Sequence, residues 1–195
     1  FVVFTWRVFM TSGVEATTAM ILKEHLGWNQ SLAGFAVGGT VLLCVPLKLL
    51  RDTLSTGAVA GWVRMLFSAA VAGALLLLPS WCPLLNVITN GRVNCTGLLL
   101  MANCLILPSA YLGDALLRGV VVANTLPHGW AFDANNTACW SNVLVIGIGR
   151  VFGPVVSKAL YATGGQAHYS VLQIVVAALF LLAFEVGVRP RMQAK

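Results

Sequence analysis

The segment CWSNVLVIGIGRVFGPVVSKALY, residues 139–161, contains only two charged side chains, Arg150 and Lys158, among 23 residues. An apolar run of this length matches the roughly 20 residues with which a helix crosses a bilayer. Soluble strands are much shorter, and strands of a membrane barrel carry polar residues at alternate positions. The segment therefore predicts a membrane-spanning helix with Arg150 near its middle.

The composition of the whole chain is typical of a membrane protein. Of 195 residues, 58% are hydrophobic and 9% are charged, whereas a soluble domain carries about 25% charged residues. The net charge is +6, but the basic residues are spread over predicted loop ends, where the positive-inside rule places them. Because no basic cluster with interleaved aromatic residues is present, we exclude nucleic acid as a partner and expect the lipid bilayer instead.

Six membrane spans follow along the chain and predict an all-α, multi-pass transmembrane bundle of residues 1–195. Pro108 is predicted to kink the fourth span, which is open to an extension as far as Ala123. The chain begins at Phe1 without Met, directly in the first span, so we expect a fragment that lacks an N-terminal half. The predicted spans are residues 1–22, 31–50, 62–79, 97–118, 139–161 and 169–188.

The loops between these spans indicate the orientation of the chain. The excess of Lys and Arg on one side predicts that both chain ends are cytoplasmic. The sequons at Asn29 and Asn94 then lie outside. The sequon at Asn135 lies inside, within a cytoplasmic connection predicted for residues 119–138.

The cysteines and histidines are not spaced for a metal site. Cys82 and Cys95 share one predicted outer loop, where a disulfide and two free thiols are equally open. No CxxC pair exists, so we expect no metal, no cofactor and no enzymatic activity. The three histidines fall in separate loops, at His25, His128 and His168.

Ionisable residues inside the predicted spans are the candidates for function. Arg7, Thr11, Glu15 and Thr18 are spaced by four, four and three residues, which places them on one face of the first helix. This polar stripe indicates either a cavity lining or a helix–helix contact held by hydroxyls and a salt bridge.

Asp114 is the ionisable residue of the fourth span. Arg118 follows four residues later, so the two side chains are predicted to pair on one helix face. The pair is either an interfacial ion pair or part of an inner gate. Tyr111 and Asn103 fall on roughly the same face and extend a polar path inward.

Arg150 lies where a charge is expensive, since an arginine at a helix centre costs about 2.5 to 3.5 kcal/mol on insertion scales. Gly147 and Gly153 flank it, and Gly149 with Gly153 forms a small-xxx-small pair that lets a neighbouring helix approach closely. Pro154 has no N–H and therefore frees the carbonyl of residue 150. Arg150 is either an ion-pair partner of Glu15 or Asp114 that locks two helices, or an anion contact.

The order of the spans resembles half of a transporter that is built from inverted repeats. The first and fourth spans carry internal charges, whereas the third and sixth have apolar interiors. Helices with apolar interiors can face lipid, whereas helices that carry internal charges must face protein or water. Two three-helix repeats are therefore predicted.

Two stretches resemble the major facilitator superfamily. They are GRVFGPVVSKALYATGG, residues 149–165, and EATTAMILKEHLGWNQSLAGFAVG, residues 15–38. The resemblance is to the C-terminal six helices and leans toward the vacuolar phosphate transporters with an SPX domain and their lysosomal relatives. It implies alternating access between two six-helix halves, around a cavity lined by helices that carry Glu15, Asp114 and Arg150. The loop LRDTLSTGAVAGWVR, residues 50–64, resembles the family's charged loop motif only weakly.

These observations predict a secondary active transporter of a small, anionic solute. Arg150 and Arg7 are expected to bind the solute, and Glu15 to take up a coupling proton. A second subunit or the missing half is the expected partner, in a vacuolar, lysosomal or plasma membrane. The alternative is a scaffold or subunit of a larger membrane complex that does not itself transport. Asp114 completes the candidate site, with Thr11, Thr18, Gly147, Gly153 and Pro154 in support.

Overall fold

The computed structural model describes residues 2–53, 59–88, 94–123 and 133–193, and every regular element in these ranges is helical. The all-α prediction is therefore confirmed for the described part. Short π-helical turns at Val145–Gly149 and Phe184–Val188 flank the longest helix. The helices are α1 Val2–Glu24, α2 Gln30–Leu42, α3 Cys44–Thr53, α4 Val59–Leu76, α5 Trp81–Ile88, α6 Cys95–Ala123, α7 Ala134–Leu144, α8 Arg150–Ala183 and α9 Arg189–Gln193.

Four helical stretches of the described chain are long and apolar enough to cross a membrane. They are Gln30–Thr53, Val59–Leu76, Cys95–Val120 and Gly147–Val188. These stretches are consistent with an integral, multi-pass membrane protein. The polar stripe of α1 gives this helix a lower hydropathy, so it is not among the four although its 23 residues are long enough.

The longest of these stretches folds back on itself at Gly165. A straight helix of 34 residues would be about 51 Å long, which exceeds the roughly 30 Å hydrocarbon core. Gly165 has φ 64° and ψ −158°, a conformation that favours glycine. Gln173 Nε2 lies 3.2 Å from Ser157 Oγ, although sixteen residues separate them. Residues 150–164 and 166–183 are therefore two antiparallel arms, and the predicted connection between the last two spans is a helical turn.

Small residues bring α1 against the first arm of α8. The hydroxyl of Ser12 donates to the carbonyl of Gly149 at 3.0 Å. A Cβ at Gly153 would overlap the Phe9 carbonyl and the Ser12 hydroxyl, and a Cβ at Gly149 would lie 2.7 Å from the Val8 side chain. The predicted Gly149–Gly153 pair thus faces α1. Gly147 does not, because no atom of another described element lies within 4 Å of its Cβ position.

A second contact region joins α4, α6 and the second arm of α8. The rings of Phe67 and Phe180 have centroids 4.0 Å apart, and Phe184 meets Phe67 edge-on at 5.4 Å. Gly73 admits the backbone of α6, since its Cβ position is 2.8 Å from the Ala102 carbonyl. These contacts place the apolar core among α1, α4, α6 and α8. By contrast, most of α2 and α3 is exposed.

The predicted boundaries of the inner spans and loops need correction. A turn at Leu43 divides the predicted span 31–50 into α2 and α3. The extension of the fourth span to Ala123 is present, as the apolar run predicts, whereas α7 already begins at Ala134, so both ends of the predicted loop 119–138 are helical. The middle of that loop, residues 124–132, lies outside the described residues.

The outer connection between α4 and α6 is cross-linked. Cys82 in α5 and Cys95 at the start of α6 form a disulfide, with their Cα atoms 5.5 Å apart. The sequence leaves a disulfide and two free thiols open at these positions, and the structure contains the disulfide. Because disulfides persist in oxidising compartments, this end agrees with the predicted outer side of the membrane.

Candidate functional site

A polar cavity of about 190 Å³ lies between α1, α6, α7 and the start of α8. Arg118 of its wall is 23 residues from Cys95 along α6, about 35 Å from the disulfide end. The cavity therefore belongs to the predicted cytoplasmic end of the bundle. Its lining residues are Arg7, Val8, Thr11, Ser12, Glu15, Tyr111, Arg118, Asn142 and Arg150.

A buried carboxylate holds two of the three arginines in place. Asp114 Oδ2 lies 2.9 Å from Arg7 Nη2 and 3.0 Å from Arg118 Nε. The predicted local pair with Arg118 is present. The ion pair with Arg7 joins α1 to α6, and the exposed side-chain fractions of Arg7 and Asp114 are only 8% and 7%. Since one oxygen accepts both contacts, Asp114 fixes two guanidinium groups beside the cavity.

Glu15 belongs to a second set of contacts on the same wall. The hydroxyl of Tyr111 donates to Glu15 Oε1 at 2.8 Å. The guanidinium of Arg7 lies over the Tyr111 ring, 5.3 Å from its centroid. Tyr111 thus contacts both Glu15 and Arg7.

Arg150 is arranged differently from the other two arginines. Its side chain is exposed to the cavity, and it has no ion-pair partner among the described residues. Neither predicted carboxylate partner pairs with it: Asp114 pairs with Arg7 and Arg118, and Glu15 accepts a hydrogen bond from Tyr111. Of the two interpretations of Arg150, this structure does not show the ion-pair lock.

The charges around the cavity sum to a positive value. Three arginines, at 7, 118 and 150, face two carboxylates, at 15 and 114, so three minus two leaves a net charge of +1. In a low-dielectric site an excess positive charge favours an anion. The planar guanidinium group suits carboxylate and phosphate oxygens because it donates two parallel hydrogen bonds. The cavity therefore has the chemistry of an anion site.

The polar stripe of α1 divides into two parts. Arg7, Thr11 and Glu15 line the cavity. Thr18 does not, because it is fully buried and its hydroxyl accepts from Asn103 Nδ2 at 3.0 Å. The inner part of the stripe lines the cavity and also forms a helix–helix contact through the Arg7–Asp114 salt bridge, whereas its outer end forms a helix–helix contact alone.

The described residues contain no group of three or more His, Cys, Asp or Glu side chains that could hold a metal ion. His25 stacks edge-on against Tyr161, 5.6 Å between centroids, far from the cavity. His128 lies outside the described residues.

Pro154, which the sequence predicts to support the site, lies inside α8, one turn beyond Arg150.

One wall residue, Asn142, was missed by the sequence interpretation. Its Oδ1 accepts from Arg118 Nη1 at 3.5 Å, and it comes from α7. The π-helical turn between α7 and α8 sets the direction of α7, so no spacing in the sequence places Asn142 beside Arg118.

Comparisons of the chain with protein-family models, with curated proteins and with solved structures found no match.

Proposed function

We propose that this chain is the six-helix half of a secondary active transporter that carries a small anionic solute by alternating access. The observation that carries the proposal is the guanidinium of Arg150, which has no ion-pair partner among the described residues and lies in a cavity with net positive charge. A bare cation in a membrane helix is costly. A bound anion offsets that cost, so the site is stabilised when it is occupied.

Five residues at the cavity have roles in this proposal. Arg150 contacts the anion directly. Arg7 supplies a second positive charge to the anion site, and the ion pair with Asp114 fixes the position of that charge. Glu15 takes up the coupling proton, and the Tyr111 hydroxyl that donates to it passes the resulting change to Arg7. Protonation of Glu15 removes a negative charge from the wall and strengthens anion binding, which couples the two ligands.

The proposed arrangement is two three-helix repeats of the major facilitator type. The first repeat is α1, the α2–α3 pair and α4. The second repeat is α6 and the two arms of α8. Exposed apolar side chains beside Arg150, at Val151, Phe152 and Val155, are suited to lipid or to a second helical half across the cavity.

A transport assay on the full chain, together with its partner half where one exists, tests the proposal. Proteoliposomes with an imposed pH gradient are supplied with radiolabelled inorganic phosphate, and unlabelled sulfate and malate compete. Arg150→Ala is expected to lower uptake by at least about tenfold, because a hydrogen bond to a charged ligand contributes roughly 1.5 to 3 kcal/mol.

Arg64→Ala is the matched control. Arg64 lies at the same end of the bundle but is largely exposed and pairs with Glu185 at 3.1 Å, away from the cavity. Its uptake should stay within about twofold of the wild type. Wild-type uptake of all three anions by Arg150→Ala would contradict the anion site, and absence of any uptake by the wild type would favour the scaffold alternative.

A further inference from the structure

Seven polar side chains of the described residues are completely buried, and six of them, all except Ser170, form what we call the polar layer in the outer half of the bundle. Ser170 is left out because its hydroxyl already donates to the Leu77 carbonyl at 2.6 Å. All six have 0% exposure and none is charged. Asn103 lies eight residues from the outer end of α6, and Ser157 and Gln173 each lie eight residues from Gly165, about 12 Å in each case. The polar layer consists of Thr17, Thr18, Asn103, Ser157, Tyr169 and Gln173.

Direct hydrogen bonds satisfy only part of this layer. Asn103 Nδ2 donates to Thr18 Oγ1 at 3.0 Å, and Gln173 Nε2 donates to Ser157 Oγ at 3.2 Å. Tyr169 is one helical turn before Gln173, so both side chains belong to one face of the second arm. The two pairs and the tyrosine bring α1, α6 and both arms of α8 together at one level.

Three buried atoms of the layer have no hydrogen-bond partner among the described residues: Thr17 Oγ1, Tyr169 Oη and Gln173 Oε1. The Tyr169 hydroxyl lies beside Thr18 but lacks the geometry of a hydrogen bond. Pro108 adds a backbone acceptor nearby, because it leaves the carbonyl of Cys104 without its helical donor. Buried polar groups with unmet hydrogen bonds are the sites that ordered water occupies in proteins.

The layer lies between the Glu15 cavity and the outer surface. Thr18 is one turn from Glu15 on α1. On the other side, the Tyr169 ring is 6.4 Å from the Tyr161 ring, and Tyr161 lines a second cavity of about 290 Å³ beside the disulfide. His25 and Gln166 also line that outer cavity. Polar groups thus continue from the outer cavity to one turn above Glu15.

We propose that the polar layer binds ordered water and that this water carries protons between the outer cavity and Glu15. A hydroxyl or a water accepts a proton on one side and releases another on the opposite side, so the layer itself is unchanged after each transfer. The proton gained by the Glu15 carboxylate is one lost by the outer solution. The proton part rests on the proposed function, in which Glu15 is the coupling group.

A metal cation fits the layer less well than water does. All six side chains are neutral, and a buried cation needs a compensating negative charge. The amide N–H groups of Asn103 and Gln173 also point toward the hydroxyls of the layer, where they would repel a cation. Water can donate to Gln173 Oε1 and accept from Tyr169 and Thr17, so it satisfies all three unpartnered atoms.

Radiolytic hydroxyl labelling of the full chain in nanodiscs tests the water site without any transport assay. Labelling requires water next to the side chain. We expect Tyr169 to be labelled roughly fivefold faster than Phe180, a buried residue of the same arm that packs among phenylalanines. Gln173→Leu should lower Tyr169 labelling to the rate of Phe180, and Thr17→Val serves as a second variant if Gln173→Leu does not fold.

Two outcomes overturn the water site. One is labelling of Tyr169 no faster than that of Phe180, or labelling that neither variant changes. The other is a rise of the unfolding temperature in NaCl over choline chloride that Gln173→Leu abolishes, which would identify a sodium site instead. Equal unfolding temperatures in the two salts support water.

Tyr169→Phe separates the proton route from the proposed function. We expect it to lower phosphate uptake driven by a pH gradient about tenfold, and to leave phosphate–phosphate exchange, which moves no net proton, within about twofold. If Arg150→Ala lowers phosphate uptake but Tyr169→Phe leaves uptake driven by a pH gradient unchanged, the proton route alone is overturned. If the wild type neither takes up nor exchanges an anion, the proposed function and the proton route both fail, and labelling still decides the water site.

Discussion

The inner and outer ends of α1 are both polar, but they are held by different chemistry. At the inner end, Arg7 forms an ion pair with Asp114, and both side chains are almost completely buried. At the outer end, Thr18 exchanges hydrogen bonds with Asn103, and neither residue is charged. The same two helices, α1 and α6, are therefore joined once by charges and once by neutral groups.

The difference shows where the bundle depends on its polar contacts. A buried ion pair gains little over an apolar contact when it is intact, yet removal of one partner leaves a desolvated charge. A neutral hydrogen bond in a membrane protein contributes only about 0.6 kcal/mol on average, because the unfolded helices find other partners. The inner end should therefore tolerate single substitutions much less well than the outer end.

The largest effect is expected from Asp114→Ala. This substitution leaves the buried guanidinium of Arg7 without its carboxylate, which costs about 3 to 5 kcal/mol. Chemical unfolding followed by circular dichroism in detergent measures the loss. In the double variant Arg7→Leu with Asp114→Ala, stability should return to within about 1 kcal/mol of the wild type, because the stranded charge is gone.

Asp52→Ala is the control for this prediction. Asp52 also contacts two cations, Lys48 at 3.3 Å and Arg51 at 3.4 Å, but its side chain is 46% exposed. Exposed pairs contribute about 0 to 1 kcal/mol. Similar losses for Asp114→Ala and Asp52→Ala would contradict the claim that burial makes the inner pair sensitive.

Local contacts in this site follow from the sequence, and contacts between helices do not. The Asp114–Arg118 pair is four residues apart on one helix, so spacing alone places the two side chains together. The Arg7–Asp114 pair joins residues 107 positions apart. It depends on how α1 and α6 pack, which the polar stripe indicates only as a need for a partner.

The glycines around Arg150 show a second limit of sequence interpretation. Gly147 is expected to assist the close approach because it lies three residues from Arg150, as Gly153 does. At 3.6 residues per turn, however, two residues turn the chain by about 200°, so Gly147 lies on nearly the opposite face from Gly149. Of these three glycines, only Gly149 and Gly153 face α1.

The seam between α1 and α8 should respond with an intermediate effect. Gly153→Ala places a methyl group on the Phe9 carbonyl and the Ser12 hydroxyl, so the helices must separate. Overpacking of this kind costs typically 1 to 3 kcal/mol, and we expect a loss of about 2 kcal/mol in the unfolding free energy. Gly147→Ala, where the added methyl meets no atom of another described element within 4 Å, should be neutral or slightly stabilising. An equal loss for both variants would mean that helix propensity, not the contact with α1, decides.

The smallest effect is expected at the outer end, from Thr18→Val. The substitution keeps the branched shape and removes one hydroxyl, so the side chain of Asn103 loses its partner while packing is preserved. We expect a loss of about 0.6 kcal/mol, close to the resolution of an unfolding measurement. A double-mutant cycle with Asn103→Leu isolates the interaction, and a coupling energy well above about 1.7 kcal/mol would contradict a neutral, weakly coupled outer end. A value near 0.6 kcal/mol, beside a much larger coupling for Arg7 with Asp114, would establish that α1 is fixed to α6 mainly through its inner, charged contact.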